Sequence, residues 1–270
     1  MNSIFTAPVY KLDRLNYIYI VLTSRTCNQR CKQCYIDFPL NKSYKDFLDI
    51  NQIKEMMHDI KGEQPDCIYL TGGEPMMHPN FNNILRLCLK KTNVCICTNA
   101  SFINEKKARF LKKVEDESKY KLFFRFSLSH YEELKNDNAR YRGSFRQTIF
   151  AIKSLERYGF SVIIEAVNFY DEDENMLLEM YRKKFEEYGI TPEISISQYF
   201  DKTKEKTFNN QAKDCMYSRT LANNGVFSCP QLANDYRGRM GSNFLNYSKS
   251  VSAESDFCLS CSACKININN

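Results

Sequence analysis

The sequence predicts an α/β fold in which a parallel sheet carries its connecting helices on the outside. Between residues 17 and 199, apolar segments of strand length alternate with amphipathic segments of helix length, giving six strands. Parallel strands require long crossover connections, which are normally helical, so the alternation favours a parallel sheet. Three cysteines follow the first predicted strand, and a Gly-Gly-Glu-Pro turn follows the second. Both segments are therefore expected at one rim, at the carboxyl ends of the strands.

Each predicted strand is a short apolar run bounded by polar or turn-forming residues. The first run lies directly before the first cysteines, and the second ends in the Gly-Gly-Glu-Pro turn. The six strands are predicted at residues 17–22, 67–71, 94–97, 122–128, 160–167 and 194–199. After about residue 200 this pattern breaks, and the polar segment 202–213 is predicted to be a loop or linker.

The helices between the strands are predicted from periodic apolar positions and from end signals. Ser144 is predicted to be the N-cap of the fourth helix, and Gly159 and Gly189 end the fourth and fifth helices. One face of the second helix carries Phe81, Ile84, Leu85 and Cys88. The helices are predicted at residues 50–60, 79–91, 105–114, 145–158 and 174–188.

Composition narrows the class of protein. Hydrophobic residues make up 43% of the 270 residues, which is enough for a sizeable core. The net charge is +6 without a block of Lys and Arg, so a nucleic-acid partner is not expected. No apolar run approaches the ~20 residues that a membrane span needs. The N-terminus lacks the pattern of a signal peptide, so a cytoplasmic protein is expected.

The twelve cysteines point to metal ligands rather than to disulfides, because they are clustered and no secretion signal precedes them. Four of them lie inside apolar strand or helix patterns and are expected in the core, where free cysteine is a small buried hydrophobe. These four are Cys67, Cys88, Cys95 and Cys97. Cys95 and Cys97 share one strand face, so a functional role on the concave side of the sheet is left open for them.

The first cysteine group has the spacing C-x3-C-x2-C, formed by Cys27, Cys31 and Cys34. Three thiolates on one short loop can hold three irons of a 4Fe–4S cube, and the fourth iron then has no protein ligand. Structural zinc and iron–sulfur sites usually complete their coordination with four ligands. The open iron is therefore expected to bind a substrate or cosubstrate.

These cysteines and the turn together resemble the radical S-adenosylmethionine (radical SAM) enzymes. The run from Cys27 to Tyr35 resembles the signature loop of that family, and Gly72-Gly73-Glu74-Pro75 resembles its second motif. Thr98-Asn99-Ala100 is similar to a motif that often follows the third strand. The chain departs from the family at Gln33, where an aromatic residue usually packs by the adenine. The resemblance implies a curved, partial (β/α)6 barrel.

The resemblance also implies a cosubstrate and the residues that contact it. S-adenosylmethionine would chelate the open iron, and one electron would cleave it to methionine and a 5′-deoxyadenosyl radical. Gly72 and Gly73 would allow the backbone close to the methionyl amino group, and Glu74 would accept a hydrogen bond from that ammonium. The other positions expected at this site are Tyr35, Pro75 and Asn99. Ser127 and Asn168 match positions of ribose- and carboxylate-binding groups, with ordinary capping or turn bonds as the alternative.

The second cysteine group begins with Cys215 and Cys229, on either side of an Asn-Gly pair that predicts a hairpin with a type I′ turn. Cys258, Cys261 and Cys264 follow with iron–sulfur-like C-x2-C-x2-C spacing. The group resembles the auxiliary-cluster extensions called SPASM and twitch. That resemblance implies a second 4Fe–4S cluster on Cys215, Cys229, Cys258 and Cys261. Cys264 would be spare, a further ligand, or a hydrogen-atom donor, and a structural zinc site is the alternative for the group.

The expected organisation is a radical SAM barrel over residues 1–200 and an auxiliary-cluster unit over residues 201–270. The leading function is radical oxidation or remodelling of a small polar metabolite such as a sugar or aminocyclitol. This choice depends on the short unit after residue 200 and on the absence of a leader-binding domain before Cys27. The alternative is modification of a peptide or protein side chain by epimerisation, cross-linking or formylglycine formation. A non-catalytic iron–sulfur or zinc protein is the third class, and a flavodoxin- or ferredoxin-type reductant is the expected partner of an enzyme.

Overall fold

A nine-stranded sheet forms the centre of the computed structural model, which describes residues 7–39, 46–199, 214–253 and Cys258. The strand order is β10-β9-β8-β2-β3-β4-β5-β6-β7, and strands β2 to β7 are parallel neighbours. The strands of this sheet are β2 (Tyr17–Thr23), β3 (Cys67–Gly72), β4 (Asn93–Thr98), β5 (Leu122–Leu128), β6 (Val162–Asn168), β7 (Glu193–Gln198), β8 (Ser218–Ala222), β9 (Gly225–Phe227) and β10 (Arg239–Gly241). A separate antiparallel pair is formed by β1 (Val9–Lys11) and β11 (Ser250–Ser252).

Helices connect the parallel strands, as the sequence predicts. They are α1 (Ile50–Asp59), α2 (Phe81–Leu89), α3 (Glu105–Asp116), α4 (Glu133–Ala139), α5 (Ser144–Glu156) and α6 (Glu174–Glu187). All six predicted strands and all five predicted helices are present, which confirms the α/β class with a parallel sheet. Within the described residues, no helix combines the length and the apolar character that crossing a membrane requires.

Two helix starts differ from the prediction. The second helix begins at Phe81, because residues 75–77 form a short 3-10 turn that places Pro79 before the helix. Ser144 is the first helical residue of α5 and not its N-cap, a position that Gly143 occupies with φ of +86°. Helix α4 has no counterpart in the prediction, and it is seven residues long, with a polar sequence and little apolar periodicity.

The two faces of the parallel sheet have different surroundings. One face packs on the helices and forms the main core, with strand residues such as Ile20, Leu70 and Phe124 fully buried against helical side chains. The opposite face, called the inner face here, carries a second cluster made only of strand residues. Its members are Tyr17, Tyr19, Cys67, Tyr69, Cys95, Cys97 and Phe123. Arg125, Ser127 and Glu165 alternate onto the same face.

The hairpin predicted around residue 224 is present as β8 and β9, but its turn is different. Asn223 and Asn224 form a two-residue loop, and neither has the positive φ that a type I′ turn requires. Gly225 has φ of +121° and opens β9, where a Cβ atom would lie 2.3 Å from the Gly241 carbonyl oxygen. Strand β8 is hydrogen-bonded parallel to β2, so the predicted boundary at residue 200 runs through one continuous sheet.

Candidate functional site

The loop that leaves β2 carries the first cysteine group. The Asp46 carboxylate binds the first residues of this loop. Cys27, Cys31 and Cys34 are all half-buried on this loop. The Asp46 carboxylate accepts hydrogen bonds from Thr23 Oγ1 and Ser24 N at 2.8 Å and from Arg25 N at 3.0 Å. Asp46 thereby fixes the backbone that leads into Cys27. This role of Asp46 was not predicted, because Asp46 lies about twenty residues away from its partners along the chain.

The Gly-Gly-Glu-Pro turn packs directly against the same loop. Gly73 N donates to Thr23 O over 2.8 Å, and Glu74 N donates to Thr26 O over 3.0 Å. A Cβ atom on Gly72 would lie 2.2 Å from Thr23 O, and one on Gly73 would lie 2.2 Å from Thr26 O. Both positions therefore require glycine for the approach of two backbones within the protein. The predicted approach to the methionyl amino group is a separate role, and it stays a prediction.

Glu74 points inward and is fully buried. Its carboxylate accepts hydrogen bonds from Thr98 Oγ1 at 2.8 Å, Asn99 N at 2.9 Å and Met76 N at 3.0 Å. Burial raises the pKa of Glu74 to about 7, although these hydrogen bonds oppose the shift. Thr98 Oγ1 lies 2.8 Å from both carboxylate oxygens, so these groups surround the carboxylate, and the predicted hydrogen bond from the methionyl ammonium to Glu74 stays a prediction. Pro75 begins the 3-10 turn beside it and is buried as well.

Asn99 links the end of β4 to the first cysteine. Its Nδ2 atom donates to Asn28 Oδ1 over 2.9 Å and lies 3.7 Å from Cys27 Sγ. Its backbone N–H binds Glu74, so the Thr-Asn-Ala segment, the turn and the cysteine loop form one connected network. The prediction placed Asn99 at this site, and the structure gives it a direct contact with a cysteine.

Two further side chains, Gln29 and Arg140, join the cysteine loop to the part of the chain after β5. Gln29 is buried, and its Oε1 atom accepts from Cys31 Sγ at 3.6 Å and from Arg140 Nη2 at 3.0 Å. The Nε2 atom of Gln29 is buried and has no acceptor among the described residues. Lys32 N donates to Ala139 O, at the end of α4, over 2.8 Å. Neither Gln29 nor Arg140 was predicted, because the packing of α4 on the loop is a long-range contact.

The three thiols affect one another electrostatically. Burial raises the pKa of Cys27 to about 11, and Glu74, Cys31 and Cys34 add to the shift against a lowering bond from Gln29 N. Thiolate formation at Cys27 near neutral pH would therefore be favoured by a bound cation. In the described part of the chain, no three His, Cys, Asp or Glu side chains converge closely enough to hold a single metal ion. A 4Fe–4S cube does not require such convergence, because each cysteine binds a different iron.

The remaining predicted cosubstrate residues have varied surroundings. Tyr35 is partly exposed, and it interacts electrostatically with the Cys34, Cys97 and Cys229 thiols. Ser127 lies half-buried on the inner face, opposite Glu165 in the neighbouring strand. The Asn168 side chain donates to Glu172 O and accepts from Glu172 N, at 2.7 and 3.0 Å. These bonds are those of an ordinary turn, which was the alternative expected for Asn168. The contact of Asn168 with a cosubstrate stays a prediction.

Gln33, the residue that departs from the family, also contacts the end of a strand. Its Nε2 atom donates to Ser129 Oγ just after β5, while its Oε1 atom is buried and has no donor among the described residues. Gln33 therefore occupies the rim between the cysteine loop and β5.

The second cysteine group is only partly described. Cys215, Cys229 and Cys258 are half-buried, whereas Cys261 and Cys264 lie outside the described residues. None of the ten described cysteines forms a disulfide. Cys215 precedes β8 and Cys229 follows β9, so the hairpin carries them at its two open ends. The predicted auxiliary ligand set stays a prediction.

Comparison with known proteins agrees with this arrangement. The Radical SAM superfamily matches residues 21–183. A similar curated protein is the antilisterial bacteriocin subtilosin biosynthesis protein AlbA of Bacillus subtilis, 32% identical over 143 residues, which cover 52% of this chain and 30% of AlbA. Another is the GTP 3′,8-cyclase of Moorella thermoacetica, 35% identical over 75 residues, which cover 27% of this chain and 23% of the cyclase. The matches thus span less than a third of each of these two relatives.

A solved structure with a similar fold is that of Streptococcus suis SuiB bound to S-adenosylmethionine. The TM-score is 0.64 at 16% identity, and the match covers 83% of this chain and 62% of the SuiB chain. The family match includes the end of β2, the cysteine loop, the glycine turn and the whole of strands β3 to β6. We conclude that the chain belongs to the Radical SAM superfamily, enzymes that bind a 4Fe–4S cluster and S-adenosylmethionine.

Proposed function

We propose that the protein cleaves S-adenosylmethionine reductively and uses the resulting radical to take a hydrogen atom from its substrate. The observation that carries this proposal is the single network of cysteine loop, glycine turn and β4 end. Asn99 contacts Cys27, Glu74 binds Asn99, and the turn is hydrogen-bonded to the backbone before Cys27. A low-potential donor of the flavodoxin or ferredoxin type would supply the electron.

The residues present fit a 4Fe–4S cluster. Thiols are the ligands that such clusters use, and the three are half-buried on one loop. The buried Gln29 Nε2 atom, beside Cys31, lacks an acceptor among the described residues, and a cluster sulfide would supply one. Cys27, Cys31 and Cys34 would hold the cluster, and the remaining iron would bind S-adenosylmethionine.

When bound, the cluster and cosubstrate supply the electron transfer and the carbon-centred radical. The chain's own residues hold the loop in place around them. Asp46 fixes its start, and Asn99 and Gln29 each contact a cysteine. Arg140 adds a positive charge near Cys34 and Glu74, which favours the anionic forms of both groups.

A peptide is the substrate class we favour. AlbA, a bacteriocin biosynthesis protein, is 32% identical over a segment that includes about half of this chain. This reverses the order of the two substrate classes expected from the sequence. The identity of the peptide would decide whether the outcome is oxidation, cross-linking or epimerisation.

A small polar metabolite is the second candidate, and the inner face supports it. Arg125 and Glu165 face each other there at 3.0 Å, with side chains 12% and 25% exposed. Both charged groups of this ion pair are partly exposed on the inner face, so a polar ligand with donor and acceptor groups would find partners there.

We further propose that Cys215, Cys229, Cys258 and Cys261 hold an auxiliary 4Fe–4S cluster. The support is the cysteine count and spacing, and the position of Cys215 and Cys229 at the open ends of one hairpin. A fully ligated cluster would accept an electron from a substrate radical. Cys264 would then be spare, a further ligand or a hydrogen-atom donor.

The test is iron content and S-adenosylmethionine cleavage after anaerobic reconstitution, with wild type beside the Cys27/Cys31/Cys34 triple alanine variant. Two clusters predict about eight irons in wild type and about four in the variant, without formation of 5′-deoxyadenosine. Retained cleavage in the variant would remove the first-site assignment. About four irons in wild type and none in the variant would remove the auxiliary cluster alone.

A further inference from the structure

Three cysteines outside both predicted cluster sites share the inner face of the sheet. Cys67 on β3 and Cys95 and Cys97 on β4 pack together with Tyr19 and Tyr69. Cys67 and Cys95 are at most 2% exposed, whereas Cys97 is half-buried. Cys97 is also the last of the three toward the carboxyl ends of the strands, where the site lies. Of these three thiols, the Cys97 thiol is therefore the one that a bound molecule can reach.

Polar groups lie among these side chains of the inner face, although packing of a core needs only apolar ones. The Tyr69 side chain is 1% exposed, and its hydroxyl has no hydrogen-bond partner among the described residues. Tyr69 stacks on Tyr19 with ring centroids 4.8 Å apart, and the Arg125 guanidinium lies 6.0 Å from the Tyr69 ring. Arg125 is also the register partner of Cys97. The Tyr69 hydroxyl, in the same side-chain group as Cys97, is thus a buried polar group that the described residues leave unsatisfied, which indicates a polar partner on the inner face.

Cys97 lies next to the proposed radical site along the chain. Asn99, two residues further on, contacts Cys27 Sγ at 3.7 Å. Two residues of extended chain span no more than about 7 Å. Tyr35, on the cysteine loop, is within electrostatic range of the Cys97 thiol. Cys97 therefore lies between the cysteine loop and the charged pair formed by Arg125 and Glu165.

We propose that Cys97 is a catalytic residue that donates a hydrogen atom to a carbon-centred radical at the inner face. This inference rests on the proposed radical function and adds the chain's own hydrogen donor to it. Sulfur–hydrogen bonds are weaker than the bonds of unactivated carbon to hydrogen, so the transfer is downhill. Serine in the same position would not donate, because its O–H bond is stronger.

The step balances as a one-electron exchange. The Cys97 S–H bond breaks homolytically, a C–H bond forms at the radical carbon, and the unpaired electron remains on Sγ. Restoring the thiol takes one electron and one proton, which the low-potential flavin or iron–sulfur reductant and solvent supply. The product thereby receives a solvent-derived hydrogen without net oxidation.

The test needs no identified substrate. Reconstituted protein is incubated in D2O with S-adenosylmethionine and dithionite, without added thiols or glycerol, and 5′-deoxyadenosine is analysed by mass spectrometry. The cysteine thiols exchange to S–D, so we expect a single deuterium in the wild-type product. Cys97→Ser should lose this label while it still forms 5′-deoxyadenosine. Cys88→Ala, a buried cysteine on the helix-covered side, is the matched control and should keep the label.

The outcomes separate the two proposals. Absence of 5′-deoxyadenosine in wild type would remove the proposed function itself. Formation of 5′-deoxyadenosine that is unlabelled in wild type, or equally labelled in Cys97→Ser, would overturn the role of Cys97. If Cys97→Ser fails to bind iron, Cys97→Ala is the second variant, and retention of the label there has the same meaning.

Discussion

At the scale of single residues, the site depends on a few contacts that leave no room for substitution. Gly72 and Gly73 allow the turn to hydrogen-bond with the backbone that leads into Cys27. Asp46 holds the same backbone from the other side, with both carboxylate oxygens. The position of the cysteine loop is therefore determined before any cluster binds.

Gly73→Ala should destabilise the metal-free protein by about 1–3 kcal/mol, the cost of overpacking. The added Cβ would lie 2.2 Å from Thr26 O, so the turn must move away from the loop. We also expect lower iron content after reconstitution. The measurement is chemical denaturation followed by iron analysis. Gly62→Ala is the matched control, because nothing lies within 4 Å of its added Cβ, and it should stay within about 0.5 kcal/mol of wild type. Equal effects of the two substitutions would contradict the prediction.

At the scale of elements, helix α4 connects the cysteine loop with α5. Its last residues bind the loop through Ala139 O, and Asp137 within it caps α5. The Asp137 carboxylate accepts from Gly143 N at 2.5 Å, Phe145 N at 2.9 Å and Ser144 Oγ at 3.0 Å. This cap from the preceding helix replaces the one that Ser144 was predicted to supply.

Asp137→Ala should lower the free energy of unfolding by about 1–2 kcal/mol at neutral pH, as the loss of a helix cap does. Burial raises the pKa of Asp137, but the bonds from Phe145 N and Gly143 N outweigh it and leave the pKa below its usual range. The folded carboxyl thus binds protons less readily than the unfolded one. Its stabilisation is present above about pH 4 and is lost as the pH falls further.

The measurement is urea denaturation from pH 7 to pH 3 for wild type, Asp137→Ala and Asp137→Asn. The difference between wild type and Asp137→Ala should shrink below about pH 4. Asp137→Asn keeps one acceptor without a titrating group, so it should lose less stability than alanine at neutral pH. A difference that is constant with pH would contradict the role of the charge.

At the scale of the whole molecule, the sheet continues from the barrel strands into the hairpin. Strand β8 pairs with β2, and Arg219 on β8 is fully buried without a carboxylate partner among the described residues. Its guanidinium donates to Cys215 O and Ser218 O at 2.6 Å and to Lys249 O at 2.9 Å. One side chain therefore holds together the two ends of the described segment 214–253.

Arg219→Met should lower the free energy of unfolding by about 1–3 kcal/mol, because carbonyl oxygens lose their donors. Since β8 belongs to the central sheet, the loss should shift one cooperative transition and not create a second. The measurement is calorimetry of the metal-free protein, with Arg109→Met, at an exposed position of α3, as the control. Two separate transitions would instead favour an independent unit over residues 201–270.

The family could be predicted because its sequence signals are local. Cys27, Cys31 and Cys34 lie within eight positions, and the glycine turn is four consecutive residues. The strands were predictable for the same reason, since their apolar runs are local and their faces alternate with period two. The hairpin was predicted as well, but its turn type was not, because the backbone at Asn223 and Asn224 depends on how β9 meets β10.

Local patterns along the chain were enough to predict the α/β class, the order of the strands, the family and the two cysteine groups. The contacts that support the first group through Asp46, Gln29 and Arg140 emerge only in the folded chain, as does the contact of Asn99 with Cys27. It also decided that β8 joins the central sheet and that Cys97 lies on the inner face near Tyr35. The physical reason is sequence distance: Asn99 and Cys27 are 72 residues apart, and only the parallel register of the strands brings them together.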